Sequence, residues 1–375
     1  MAYLDLNAPL RTDDSFRGKK DEFYHKDVSP LEELPIDMSS AVVLEYMHNI
    51  CLGVMKRLLV FWIKGKKPVR LENPEAISEE LNNIKTFLPN EFNRLPRSLE
   101  ECEYWKATEF RTFLIYTGPI VLKGRLKNSL YKHFMILSCA IRLLISPKTC
   151  YTYNNVAKML IERFVSEYST HYGEEYVSYN VHGLIHVADF VMMHGSLDTF
   201  SAFKYENYLQ FLKKSCKNAR FPLEDTYNRI MEHIDIDTST IAPNYPILKN
   251  EINYDPLVNR SIDETYYKEI ILNNYVLNST NLKDNFVYIK DHGIVKVINI
   301  IQFSNGIIKI EAIKYNIFPM FQNPISSDII KMYYIHDIIP KPPLISIDIE
   351  SIKYKCFSFP ISNNKSIAMA LLHTT

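Results

Sequence analysis

The spacing of apolar residues changes period once along this chain, and that change bounds what it can fold into. From Ala41 to about residue 235, apolar side chains recur at i+3 and i+4, as in helices that bury one face. Val43, Met47, Ile50, Val54, Leu58 and Phe61 form the first such stripe, with Ser39 or Ser40 placed as N-cap. Stretches 73–88, 99–121, 126–145 and 154–172 keep the period, broken at Pro89, Pro96, Pro119 and Pro147, and 225–233 gives a last short helix. Beyond residue 262 the pattern is that of strands. Residues 286–289 and 294–298 flank the turn Lys290–Gly293, and Ser304–Gly306 leads into 307–313. Runs at 329–335, 344–349, 352–358 and 367–372 complete a small antiparallel sheet or barrel. The predicted fold class is α+β. Residues 1–40 form an extended segment, 41–235 an α-helical domain, 236–262 a proline-containing linker and 263–375 a β-rich domain.

The formal charge is zero, so no global field attracts nucleic acid and any such binding rests on local patches. Six scattered cysteines with no CxxC argue against a disulfide framework and for a reducing compartment, nuclear or cytoplasmic. The opening residues have no apolar signal-peptide core. The most apolar run, 134–145, is interrupted by Arg142 and too short for a bilayer, so no membrane partner is expected.

One stretch looks like chemistry: residues 179–217, read as two helices broken at Gly195-Ser196. In the first, Val181, Leu184, Ile185, Ala188 and Met192 make a core stripe, flanked by a polar stripe of His182, His186 and Asp189. Two histidines at i and i+4 on one helix face can offer two ligands to one metal. In the second, Tyr205, Tyr208, Leu209, Leu212 and Cys216 form the expected buried stripe, with Glu206 at its edge. Glu45 and His48 sit one turn apart on the first helix of the chain. The bland alternative for each is a polar helix face, and Glu109, set among Trp105, Phe110 and Phe113, is read as structural.

Six ordered blocks carry a family resemblance: NAPLRTDDSF (7–16), LEYMHNICLGVMKRLL (44–59), WKATEFRTFLIYTGPIVLK (105–123), NVHGLIHVADFV (180–191), FSAFKYENYLQFLKKSCKNARFPLED (200–225) and ISIDIESIKYKC (345–356). Together they resemble CACTA-type (En/Spm-like) DNA transposases and the transposase-domain proteins derived from them in animals. The resemblance implies a ribonuclease-H-like core in which two Asp and one Glu hold Mg²⁺ for strand cleavage and joining, with a helical insertion before the Glu. It makes Glu206 the third carboxylate. His182 and His186 match an HxxxH that joins an upstream CxxC at structural Zn²⁺, and Glu45-Tyr-Met-His48 matches the family's DxxH with Glu in place of Asp.

The departures are large. The family's two catalytic Asp residues and its CxxC precede the region matched here; no CxxC occurs, and Asp5, Asp13, Asp14 and Asp37 match no catalytic motif. The expectation is a transposase-derived protein, catalytically inactive by itself and without cofactors. Glu45, His48, His182 and His186 are its candidate metal ligands. Lys213, Lys214, Lys217 and Arg220 are its candidate DNA contacts, weak and non-specific. Lys56, Arg57, Lys64, Lys66 and Lys67 form a second basic cluster, and cations that merely complement helix C-termini explain both groups as well. Two alternatives stay open: a domesticated protein–protein interaction module with host partners, and a fragment of an active DDE transposase lacking its N-terminal part.

Overall fold

The computed structural model describes residues 2–20, 25–216, 220–237, 244–252, 263–338, 340 and 342–373. Two compact units divide the chain: Met1–Ile84 with Arg94–Phe200, and Lys85–Asn93 with Ser201–Thr375. The first is helical, and the second carries an antiparallel sheet, so the class is α+β. The predicted segment limits at 40, 235 and 262 and this division cut the chain at different places. Of the expected linker 236–262, only 236–237 and 244–252 are described; the former ends a helix and the latter holds the first strand, Ile247–Glu251. No described helix is long and apolar enough to cross a membrane.

Unit 1 holds α1 (Asp13–Arg17), α2 (Lys56–Lys64), most of α3 (Pro74–Lys85), α4 (Ala107–Thr112), α5 (Gly118–Val121), α6 (Asn128–Ile145), α7 (Asn154–Tyr172), α8 (Tyr179–His182) and α9 (Val187–His194). The segment expected to be merely extended is clipped together. Arg17 donates to Glu32 O (2.6 Å) and Ile36 O (2.8 Å), and Asp13 accepts from Met38 N (2.8 Å). These contacts hold the Asp13 carboxyl below its usual range, Met38 N–H first and Arg17 second.

The core helix is α6, buried on every side from His133 to Ile145, as expected of a helix that is apolar all round. Two widened, π-helical stretches pack in the same unit, Met47–Met55 ahead of α2 and Phe113–Thr117 between α4 and α5. Ser39 and Ser40 are not the cap of the first helix. They fold back on the Asp37 carboxylate, and helix starts only at Tyr46.

Among the described residues, unit 2 holds α10 (Phe203–Ser215), α11 (Pro222–Asp237) and eleven strands: β1 (Ile247–Glu251), β2 (Glu264–Ile271), β3 (Val276–Asn278), β4 (Phe286–Ile289), β5 (Gly293–Phe303), β6 (Ile308–Lys314), β7 (Asn316–Pro319), β8 (Met332–His336), β9 (Ile345–Asp348), β10 (Ile352–Ser362) and β11 (Lys365–Ala370). The order is β1-β2-β5-β4-β10-β11-β8-β7, with β3 on β2, β6 on β5 and β9 on β6, antiparallel throughout. The long β5 is central. Its two halves pair with β4 and β2, and β6 runs along its other edge through a bulge near Val297–Asn299. Gly293 closes the β4–β5 turn at φ +73°, where an added Cβ would also come within 2.9 Å of Ile317 Cδ1.

Inside unit 1, His133 of α6 is 1 % exposed, donates from Nε2 to Phe164 O (2.8 Å) and stacks on the Phe164 ring. Its Nδ1 meets no partner among the described residues. Burial pushes the imidazole down to about 4. The unfolded chain, with an ordinary histidine near 6.5, therefore binds this proton first as pH falls. Stability is full above about pH 6.5 and declines toward pH 4, by up to about 3 kcal/mol from this group. Urea midpoints measured at pH 7, 5.5 and 4.5 should fall for the native chain, and His133→Gln should flatten that decline. An unchanged slope in the variant would contradict it.

Candidate functional site

The HxxxH stretch is not one regular helix. α8 ends at His182, a 3₁₀ turn runs Gly183–His186, and α9 begins at Val187. The tighter turn follows from close packing, since a Cβ on Gly183 would come within 2.5 Å of Leu44 Cδ1 beside the Met47–Met55 helix. Val181, Leu184 and Ala188 are buried as expected, but Met192 is exposed because α9 turns its last residues to solvent. The His182 and His186 rings lie edge to face with centroids 5.9 Å apart, and His182 Nδ1 is buried without a partner among the described residues.

Glu45 and His48 complete no ligand set with these two. The Glu45 carboxylate caps the π-helical stretch instead, accepting from Met47 N (2.8 Å) and His48 N (2.6 Å), and His48 Nδ1 lies 2.5 Å from Glu45 Oε1. A carboxylate is suited to this place because it satisfies two N–H groups that a helix start leaves without partners. The Glu45 carboxylate thus has a local role at this helix start. Among the described residues, no three His, Cys, Asp or Glu side chains converge as a metal ion requires.

His186 does line an open cleft of about 570 Å³ in unit 1, with Leu6, Asn7 and Leu10 on one side and Lys158, Glu162, Arg163 and Asp189 on the other. Burial, with His182 beside it, pushes the His186 imidazole below the ordinary histidine range, so it is neutral at pH 7. Both cations of the cleft are paired with carboxylates. Lys158 Nζ grips both Asp189 oxygens (2.8 and 2.9 Å), and Arg163 Nε donates to Glu167 (2.7 Å). A neutral imidazole beside neutralised ion pairs can bind a polar group.

The remaining candidates lie in unit 2. Glu206 occupies the first turn of α10 and is exposed, as are Lys213 and Lys214 in its last turn. The stripe expected to be buried is not. Tyr205, Tyr208 and Leu209 are 65 %, 51 % and 50 % exposed, because an amphipathic pattern records that a helix has an apolar face and not that its own chain covers it. Arg220 lies over the Phe221 ring at 5.6 Å, and Lys217 lies outside the described residues. In unit 1, Lys64 of the second basic cluster is tied to Glu103 Oε1 (2.8 Å), and Lys56 reaches Glu103 O (3.4 Å).

The most concentrated polar site in unit 2 went unread in the sequence. Lys355 of β10 is fully buried, and its Nζ donates to Glu91 (2.7 and 2.8 Å), Asp284 Oδ1 (2.5 Å) and Val276 O (2.7 Å). Three N–H donors thus meet three acceptor groups. The carboxylates are completed by N–H donors, Val276 N to Glu91 (3.0 Å) and Asn281 Nδ2 to Asp284 (3.1 Å). The sequence signal was there: Lys355 sits within the largely apolar run Tyr354–Phe359, buried on both faces of the strand, an unusual place for a cation. Its saturated donors make it a clamp on the 85–93 loop.

Compared with known proteins, residues 250–371 match the model of a domain of unknown function, DUF8592. That match spans β2 to β11, which is less than half of the chain, and covers none of α10 or α11. No curated protein and no solved structure matches the chain.

Removing one partner of a buried ion pair strands the rest. Lys355→Met should therefore cost about 3–5 kcal/mol in denaturant unfolding. The triple change Lys355→Met, Glu91→Gln and Asp284→Asn should recover much of that loss. A single change costing no more than a surface substitution would show that the cluster holds nothing together.

Proposed function

We propose that this polypeptide is a transposase-derived binding protein that holds DNA weakly through its backbone phosphates and by itself performs no strand transfer. The six ordered blocks of resemblance support the derivation. The observation that carries the function is α10. The residue matching the family's third carboxylate, Glu206, stands on an exposed helix and shares a face with Lys213 seven residues on, with Lys214 beside it. Among the described residues no second and third carboxylate converge with Glu206 to clamp the two cations that in-line phosphoryl displacement uses. The lysines next to it can still neutralise phosphates. Contacts of this kind position a duplex and carry no base information.

On this reading Glu45, His48, His182 and His186 serve the packing of the helical unit, and the ribonuclease-H-like ancestry of that unit is part of the proposal. Mg²⁺ and structural Zn²⁺ belong to complete members of the resembled family and enter no step here.

Two measurements test the reading. A labelled duplex titrated at low and moderate salt should bind, with log K falling at a slope of about −3 against log salt if three to four phosphates are neutralised. Lys213→Ala with Lys214→Ala should reduce that slope by about 2. Absence of binding at low salt overturns the DNA reading. Supercoiled plasmid incubated with Mg²⁺ or Mn²⁺ should stay intact, and Glu206→Gln should behave identically. Nicking that disappears in Glu206→Gln would restore a catalytic role.

A further inference from the structure

Two imidazoles that the DNA reading leaves unused meet across α6 and α7. The His133 and His171 rings lie with centroids 4.8 Å apart, and Phe164, Tyr168 and Tyr172 pack around His133. His133 Nε2 already donates to Phe164 O, so its Nδ1 presents a bare lone pair. Among the described residues neither that nitrogen nor the buried Tyr168 hydroxyl meets a partner. The two halves of α7 are held by different chemistry. Asn154 Nδ2 donates to Ala188 O (2.9 Å) and Lys158 Nζ to Asp189 (2.8 Å), which ties the first half to α9. The second half is held by rings: His171 and Phe164 on His133, and Tyr172 on Phe61 (5.5 Å), with Trp62 Nε1 donating to the Tyr172 hydroxyl (3.3 Å).

We propose that His133 and His171 form an acid-operated joint: when both rings take up protons, Phe164–Tyr172 lifts from α6 while the first half of α7 stays on α9. A proton on His133 Nδ1 finds no acceptor in the packed state, and a second on His171 sets two cations side by side where little water enters. The surrounding charges do not remove this conflict. Glu167 favours the charged rings, but Arg163 holds it at 2.7 Å, and Arg163 itself, Lys127 and, beside Tyr168, Arg57 add positive charge. Burial lowers both imidazoles in the packed state. Once the segment lifts, both rings reach water and titrate near the ordinary value of about 6.5. The lifted state thus binds more protons, so it gains population as pH falls below that value and loses it as pH rises. The decline of overall stability expected from His133 is a global event; this opening is local, takes up two protons and is independent of DNA.

Amide hydrogen exchange of the full chain, followed from about pH 7.5 to about pH 5 and corrected for the intrinsic rate, tests the joint. The opening constant of amides 165–172 should rise by more than one decade per pH unit below about pH 6.5, approaching two, because it grows with each proton taken up. It should change little in about 1 M urea, whereas exchange in the core of α6, residues 138–145, should follow the urea dependence of global unfolding. His171→Gln, a change at a half-buried position, should bring the slope to about one or below with the chain still folded. His133→Gln together with His171→Gln should abolish it. A slope of one or less in the native chain, a slope that His171→Gln leaves unchanged, or urea sensitivity equal to that of the α6 core would overturn the proposal.

Discussion

Pro119 has no N–H to give, and unit 1 is arranged around that lack. The carbonyl four residues earlier, Ile115 O, loses its i+4 donor. Gly118 N–H reaches back to Phe113 O in the π-helical stretch, which releases Leu114 O as well. Both carbonyls point into a core where water does not compete, and both are met from α6: Ser138 Oγ donates to Leu114 O (2.7 Å) and Arg142 Nη1 to Ile115 O (2.7 Å). The arginine that interrupts the most apolar run of the chain is what allows that run to be buried. Ser138 and Arg142 are four residues apart, on one face of α6. Turning α6 by one residue would withdraw both donors and leave two carbonyls and a guanidinium unsatisfied. Apolar packing alone tolerates several registers; this polar pair tolerates one.

In unit 2 the Lys355 cluster does comparable work for the sheet. Slipping β10 by one residue would send every side chain to the opposite face, and here it would move a buried cation away from two carboxylates. Glu91 reaches this site from a loop 264 residues earlier in sequence. The entropic cost of closing so long a loop grows only with the logarithm of its length, so such distance is no bar to the contact. The same loop places Phe87 against Phe359 and Phe92 against His373. The 85–93 loop therefore contributes both apolar and charged contacts to the sheet.

What the sequence revealed follows from what periodicity measures. It found the helical and the strand halves, the β4–β5 turn at Lys290–Gly293, and a structural Glu109, which is buried and held by Arg97 at 2.6 and 2.8 Å. It missed β1, β2, β3 and β7; β1, β3 and β7 have five residues or fewer, too few to show alternation, while β2 is long enough and was passed over. It misplaced the first helix start because Ser39 and Ser40 have the chemistry of a cap, while Glu45, less often a cap, had the position. It read His182 to His186 as one helical face, since a 3₁₀ turn imposed by packing at Gly183 has no periodic signature. It could not see Lys355 with Glu91, because a contact between distant residues leaves no local pattern.

The carboxylates that sequence or structure singles out are mostly committed to protein partners. Glu45 holds a helix start, Glu109 holds Arg97, Asp189 holds Lys158, and Asp284 and Glu91 hold Lys355. A carboxylate already paired with a cation must give up that partner before it can bind a metal, and for a buried pair the loss is several kcal/mol. Hard-cation chemistry needs the opposite arrangement: several carboxylates whose mutual repulsion is relieved only by the ion. Among the described residues, the buried carboxylates Glu109 and Asp284 and the part-buried Glu91 are instead matched by Arg97 and Lys355, while α10 carries exposed apolar and basic side chains. That distribution is the physical ground on which the proposed binding role rests.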